Sequence, residues 1–461
     1  MLQRITARMA GPAAAVLAAA CLHAAPADAA DTVPVPCNPA ALGSAIGGAA
    51  SGETLSLAAY CTYRLTTALP TVGQDLTILG NHATLNRSDA PAAPSFTILS
   101  VDAGTLNVTD LNFTNGAGAI AGTASGSITV QGGTFTGNHA TNGGAIYSNT
   151  GPGGLSVTGA TFVRNSAAQA GGAIYTNEAA AITTVTGSTF TKNTAGTMGG
   201  AIYNFFDMTV SGSTFDANHA EDGGAIFNNA FNGDSLTDVA IHHNTATQDG
   251  GGVVTWACAL FVTASQISAN HAGSDGGGLY QYLLAGYPDG LTLTGSGVHR
   301  NTAQDGAGVY AYDAVTNLNS STVSGNTATA DGGGIYNDGE VPAYGNLNLT
   351  SSTVSSNNAG ADGGGIYNTQ GTVDATSSPV EHNTAGAGGG IYDGAGPDTV
   401  TLTNSPVQYN KPDNCEPAGT ITGCAHSAQG RPPLATAHAG GEAVRRHAAA
   451  RLSPTGSLVA G

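Results

Sequence analysis

The stretch from Ser188 to Asn204 reads STFTKNTAGTMGGAIYN, and Ser213 to Asn228 restates it as STFDANHAEDGGAIFN. No other feature constrains the fold as much as this repetition. Aligned on its central Asn, the chain forms a column of Asn138, Asn165, Asn193, Asn218, Asn244, Asn270, Asn301, Asn326, Asn357, Asn383 and Asn410, with Asn115 an imperfect first member. The spacing runs from 23 residues (Asn115 to Asn138) to 31 (Asn270 to Asn301), mostly near 26. A unit this short cannot bury an apolar face alone, so successive units must stack into a solenoid.

Three residues before each Asn stands Phe135, Phe162, Phe190, Phe215, Ile241, Ile267, Val298, Val323, Val354, Val380 or Val407, and two after it comes Ala, from Ala140 to Ala385. Further on, behind a pair of glycines, lie Ile146, Ile174, Ile202, Ile226, Val253, Leu279, Val309, Ile335, Ile366 and Ile391. A third apolar column includes Val130, Val157, Val210, Leu293 and Leu349. These runs alternate with period two and are bounded by Gly, Asn and Ser, so each unit is predicted to hold three short strands. The predicted fold is all-β: a single-stranded parallel β-helix of about 12 coils, which at ~4.8 Å per coil makes a rod of roughly 60 Å. In it the Asn column suits a left-handed turn and coil-to-coil amide bonding. The glycines supply positive φ or close backbone approach, and the Phe, Ile and Val columns fill the lumen.

Both ends of such a rod need covering. Asn38-Pro39 followed by AALGSAI, with Leu42 and Ile46 on one face, predicts a short N-terminal helical cap. Before it, Arg4, Arg8, the apolar run AAAVLAAACL and Ala27-Asp28-Ala29 read as a signal peptide over 1–29, with Cys21 as a lipoprotein cysteine the competing reading. Export places Cys37 with Cys61 and Cys415 with Cys424 as disulfides, one at each end of the repeats, and leaves Cys258 as a core filler. The β-helix with its caps is assigned to 30–424. The patternless segment 425–461 reads as a disordered tail, with no apolar stretch long enough to span a membrane.

Charged residues make up 9% of the chain, and its net charge is −18. Between Cys37 and Cys424 the only Lys and Arg are Arg64, Arg87, Arg164, Lys192, Arg300 and Lys411, too few and too scattered for nucleic acid or an anionic membrane surface.

Two columns could carry function. Asp222, Asp249, Asp275, Asp305, Asp331 and Asp362 occupy one position in six consecutive coils, where earlier coils have Asn142, Ala170 and Met198. One reading is a column of Asp-Gly turns. The other is a cation site, because stacked carboxylates repel and a divalent ion such as Ca²⁺ would relieve them. The residue after the Ile column is Tyr147, Tyr175, Tyr203, Phe227, Val254, Tyr280, Tyr310, Tyr336, Tyr367 or Tyr392, predicted to face outward as either a sheet-covering ladder or a platform for sugar rings. Insertions at 281–290 and 337–346 bring Tyr282, Tyr287, Tyr312, Tyr344, Asp289, Asp313 and Glu340 toward the same side, where they could wall a groove. For catalysis the candidates are Asp275 and Asp305 with Arg300, then His243.

The tetrapeptides FTGN, FVRN, FTKN and FDAN, alternating with GGAI at 143, 171, 199 and 223, resemble the FxxN and GGAI repeats of chlamydial polymorphic outer-membrane proteins. The DGGGIYN units at 331 and 362, the CNPAALGSAI cap and the CTYRL segment resemble secreted bacterial proteins of the pectin-lyase-like superfamily. Together the two resemblances cover roughly 37–424 and imply that the parallel β-helix is right-handed and forms a secreted or surface rod with an adhesive role. No motif of the superfamily's lyases, polygalacturonases or pectin esterases is present, so no catalytic residue is carried over. The reading is therefore a secreted or cell-surface, non-catalytic, adhesin-like binding or structural protein, expected to be monomeric and directed at a polysaccharide or envelope component. The alternative is a divergent polysaccharide lyase or glycoside hydrolase.

Overall fold

Within the coil that begins at Thr183, the chain forms strands Thr183–Thr186, Thr189–Thr191, Thr194–Ala195 and Ile202–Asn204. A residue with positive φ turns each corner: Gly187 (57°), Lys192 (55°) and Gly199 (66°). Repeating this path stacks parallel strands in register, so that Phe190 pairs with Phe162 and Phe215, and Ile202 with Ile174 and Ile226. This computed structural model describes residues 32–424 except 89–94, 124–125, 150–153, 178–181, 231–232, 284–289, 340–344 and 397–398. The expected leader over 1–29, the tail over 425–461, and Tyr287, Asp289, Glu340 and Tyr344 lie outside the described residues.

Among the described residues the chain is an all-β parallel solenoid with sheets of 15, 14, 9 and 13 strands and one helix. Two expectations are corrected. The repeats from Asn138 to Asn357 contribute a fourth strand, as short as Thr194–Ala195, which exists only because neighbouring coils supply its partners, as in Thr194 N–H to Asn165 O at 3.0 Å. Two residues are too few to show alternation, so the sequence shows a turn there. The coils number about 14 rather than 12, because Thr32–Val35, Glu53–Leu57, Thr62–Leu65 and Leu76–Leu79 join the sheets without carrying the repeat signature.

The Asn column also differs in its reason. From Asn138 onward the left-handed residue is the one before the Asn, as at Arg164 (53°), Lys192 (55°), His243 (55°) and Arg300 (57°); only Asn115 is itself left-handed, at 61°. The Asn side chains point inward and form the expected amide ladder. Asn193 Nδ2 donates to Asn218 Oδ1 at 3.0 Å and to Phe162 O at 3.0 Å, while Asn193 N–H donates to the same Oδ1 at 2.9 Å. These bonds hold a corner whose left-handed residue costs about 1–2 kcal/mol when it is not glycine. A serine ladder braces the preceding corner, with Ser188 N–H donating to Ser213 Oγ at 3.0 Å and Ser296 N–H to Ser321 Oγ at 3.1 Å.

Inside, Phe113, Phe135, Phe162, Phe190 and Phe215 stack with centroids 4.7 to 5.0 Å apart and no exposed surface. Burial of each contributes roughly 1.5–3 kcal/mol. Smaller Ile and Val continue the column to Val407. The second glycine of each pair is required by crowding: a Cβ on Gly200 would lie 2.1 Å from Gly224 O. At one end helix Pro39–Gly48 is capped by Asn38, whose Oδ1 accepts from Ala40 N at 2.8 Å, and buries Leu42 and Ile46. Disulfides join Cys37 to Cys61 and Cys415 to Cys424, while Cys258 is free and buried.

Candidate functional site

The aromatic column lies on the outer face of the 13-stranded sheet, but its rings cover one another. Centroids are 5.3 Å apart for Tyr147 and Tyr175, 4.9 Å for Tyr175 and Tyr203, and 5.7 Å for Tyr203 and Phe227. Val254 interrupts the stack, which resumes through Tyr280, Tyr310, Tyr336, Tyr367 and Tyr392 at 4.7 to 5.3 Å. Tyr280 and Tyr310 retain only 8% and 9% of their exposure, so mid-ladder rings offer edges rather than faces. Burial, aided by Asp249 and Asp275 near Tyr280 and by Asp338 and Asp275 near Tyr310, raises both phenols well above their ordinary pKa. They therefore remain neutral donors, and Tyr310 Oη donates to Asp338 Oδ2 at 3.0 Å.

The ladder opens at its first ring. Tyr147 stands in register with Ala121, so no ring covers that side, and it lines a cleft of about 190 Å³ with Thr97, Ile120, Ala121, Thr141 and Asn142. A second, shorter stack runs beside the main one: Trp256 to Tyr282 at 4.3 Å and Tyr282 to Tyr312 at 5.0 Å. Trp256 was not singled out from the sequence, although reading one further column, three residues after Val253, Leu279 and Val309, aligns it with Tyr282 and Tyr312.

The Asp column bonds along the solenoid. Asp222 Oδ1 accepts from Asp249 N at 3.1 Å, Asp249 Oδ1 from Asp275 N at 3.1 Å, Asp305 Oδ1 from Asp331 N at 2.8 Å and Asp331 Oδ1 from Asp362 N at 2.8 Å. Asn142 does the same for Ala170 N at 3.1 Å. Where the column carries Ala170 and Met198, the side chains pack against Tyr175 and Tyr203 instead. The backbones of Asp275 and Asp305 are bridged in adjacent coils. Arg300 turns the corner before strand Thr302–Ala303, whereas Asp305 directly precedes Gly306, which turns the corner after it at φ 56°. The three catalytic candidates are thus split between two corners of the coil.

Two other polar clusters are assembled only in three dimensions, although the sequence names His243 as a catalytic candidate and Cys258 as a core filler. Asp234 is fully buried; its carboxylate accepts from Met208 N–H, Asn228 Nδ2 and Cys258 Sγ, the last at 3.3 Å. Burial pushes its pKa up to about 6 and also raises that of the Cys258 thiol. Asp216, His242 and His243 bring three potential metal-ligand atoms together on the surface. Both clusters join residues from different coils, so they become visible only once the columns are laid side by side.

Residues 132–149, 159–177, 187–204 and 320–338 match the Chlamydia polymorphic membrane protein repeat. The chain resembles those chlamydial proteins. In the segment 187–204 the match begins at the Gly187 corner, crosses the Phe190 strand and the Asn193 ladder position, and ends with strand Ile202–Asn204. The matched segments thus carry corner-turning and lumen-filling residues together with members of the aromatic column, Tyr147, Tyr175, Tyr203 and Tyr336. No curated protein matches the chain, and no solved structure matches it. Among the described residues no helix is long and apolar enough to cross a membrane.

Proposed function

We propose that this protein is an exported, surface-displayed or outer-membrane-associated β-solenoid that binds glycans or an envelope component without catalysing a reaction, in the manner of an adhesin. The repeat it shares with a family named for membrane proteins supports the location. The observation that carries the glycan reading is the open face of Tyr147. A pyranose presents an apolar C–H face that lies well on an aromatic ring, and a cleft of about 190 Å³ has room for about one such ring. Thr97, Thr141 and Asn142 place polar side chains around it. Trp256, Tyr282 and Tyr312, with the edges of Tyr280, Tyr310, Tyr336 and Tyr367, extend an aromatic surface along the same sheet. Arg300 and Asp305 lie on opposite sides of strand Thr302–Ala303, which weighs against their joint action in an elimination.

The test is a glycan array probed with the mature chain and with Tyr147→Ala. The expected result is a restricted set of bound glycans whose signal drops at least about tenfold in the variant, with its far-ultraviolet circular dichroism unchanged. Binding unaffected by Tyr147→Ala overturns the site. Chain shortening of a polysaccharide, lost on Asp275→Ala, overturns the non-catalytic reading.

A further inference from the structure

We propose that Asp216, His242 and His243 form a surface site for a divalent transition-metal ion that favours imidazole, Zn²⁺ above all. His242 Nδ1 lies 2.9 Å from Asp216 Oδ1, His243 Nδ1 lies 3.1 Å from the same oxygen, and the two Nδ1 atoms are 3.1 Å apart. Zinc takes His nitrogen and carboxylate oxygen at ~2.0–2.2 Å, so two of its ligands lie roughly 2.9 Å apart at a right angle and roughly 3.3 Å apart at a tetrahedral one. The observed triangle falls at the lower end of that range. It forms one face of a coordination shell, with two imidazoles and one carboxylate, and leaves the remaining positions toward solvent.

The solenoid builds this triangle and holds it still. Asp216 ends strand Thr214–Asp216 and pairs in register with His242, which ends Ala240–His242. His243 takes the left-handed corner at φ 55°, which returns its ring to the same spot as its neighbour's. The next residue, Asn244, anchors the corner from inside: its Nδ2 donates to His242 O at 3.0 Å and to Asn270 Oδ1 at 3.0 Å. Ligands fixed in this way lose little freedom on binding an ion.

The triangle faces solvent. At the equivalent corner Arg164, Lys192 and Arg300 present long cations, but the coils flanking His243 have Ala217 and Ala269, also left-handed at 56° and 54°. No Lys or Arg therefore stands at the two corners flanking His243, and Lys192 occupies the next corner beyond Ala217, beside the coil of Asp216. The side chains of His242, Asp216 and His243 keep 31%, 34% and 66% of their exposure. Calcium prefers six to eight oxygen ligands and is a poor fit to two imidazoles.

Isothermal titration of the untagged mature chain with ZnCl₂ tests the site. One Zn²⁺ is expected to bind per chain with a dissociation constant near micromolar. His243→Ala and Asp216→Ala should each weaken it by about tenfold or more, while excess Ca²⁺ leaves it unchanged. His243→Ala should fold, because alanine already occupies the same left-handed corner in both adjacent coils. His271→Ala, elsewhere on the surface, serves as the control and should bind like the parent. An absence of saturable binding, or affinity retained in both His243→Ala and Asp216→Ala, overturns the proposal.

Discussion

Asn218 shows how much of this molecule rests on single side chains. Its Nδ2 donates to Phe190 O at 3.0 Å and Asn244 Oδ1 at 2.9 Å, while its own Oδ1 accepts from Asn193 N at 2.9 Å and Asn193 Nδ2 at 3.0 Å. Truncation strands several buried groups at roughly 1–3 kcal/mol each. Asn218→Ala is therefore expected to cost about 3 kcal/mol or more in urea unfolding, and a loss below about 1 kcal/mol would mean that water replaces the ladder. Asp234 makes the opposite kind of contribution. Because the fold raises its pKa from 3.8 to about 6, it favours the protonated acid. That stabilisation is fully present below pH ~4, falls as pH rises through about 6, and amounts to about 3 kcal/mol at most. The urea midpoint of the parent should fall between pH 4 and 7 relative to that of Asp234→Asn, whose profile should lack this step. Parallel profiles would place the titration elsewhere. Nothing in the local sequence around Asp234 marks it as buried, since Gly233–Thr237 reads as an ordinary strand and its partners Asn228 and Cys258 come from neighbouring coils.

At the scale of strands and corners, each column does one job. The Asp column accepts backbone N–H groups across coils, and Asn142 fills the same role without a charge. In the presence of chelator, Asp305→Asn should therefore leave the unfolding free energy within about 0.5 kcal/mol of the parent's, and the thermal midpoint nearly unmoved. If Ca²⁺ raises the parent midpoint but not that of the variant, the column also holds the cation; equal midpoints throughout assign it to the scaffold. The Phe column is legible in sequence because a full side chain recurs in register, and Phe190→Ala is expected to cost about 3–5 kcal/mol. The two-residue strands such as Thr194–Ala195 were not legible, because only their neighbours make them strands. The aromatic column was legible as a column, but not as a stack whose faces are covered, since that depends on ring spacing across the sheet. The grouping of His243, named from the sequence as a catalytic candidate, with His242 and Asp216 was hidden for the same reason: Asp216 and its two partners are separated by a full coil.

Across the whole molecule, contacts run between adjacent coils, so stability should approximate a sum over coils and their interfaces. Excising residues 194–218 removes one repeat of 25 residues and lets Asn193 bond to Asn244 in place of Asn218. The shortened chain is expected to keep the parent's circular dichroism per residue and to unfold cooperatively at a slightly lower midpoint. Aggregation or loss of strand signal would show that register is set globally rather than coil by coil. The sequence by itself determined the solenoid, the helical cap, and the columns that line the lumen, because those follow from periodicity and a repeat too small to stand alone. Only the tertiary structure decided the fourth sheet, the left-handed corner before each Asn, the open ring of Tyr147 and the triangle at Asp216. Each of these arises from side chains about 25 residues apart meeting across a coil, a relation set by register and corner geometry rather than by any local pattern.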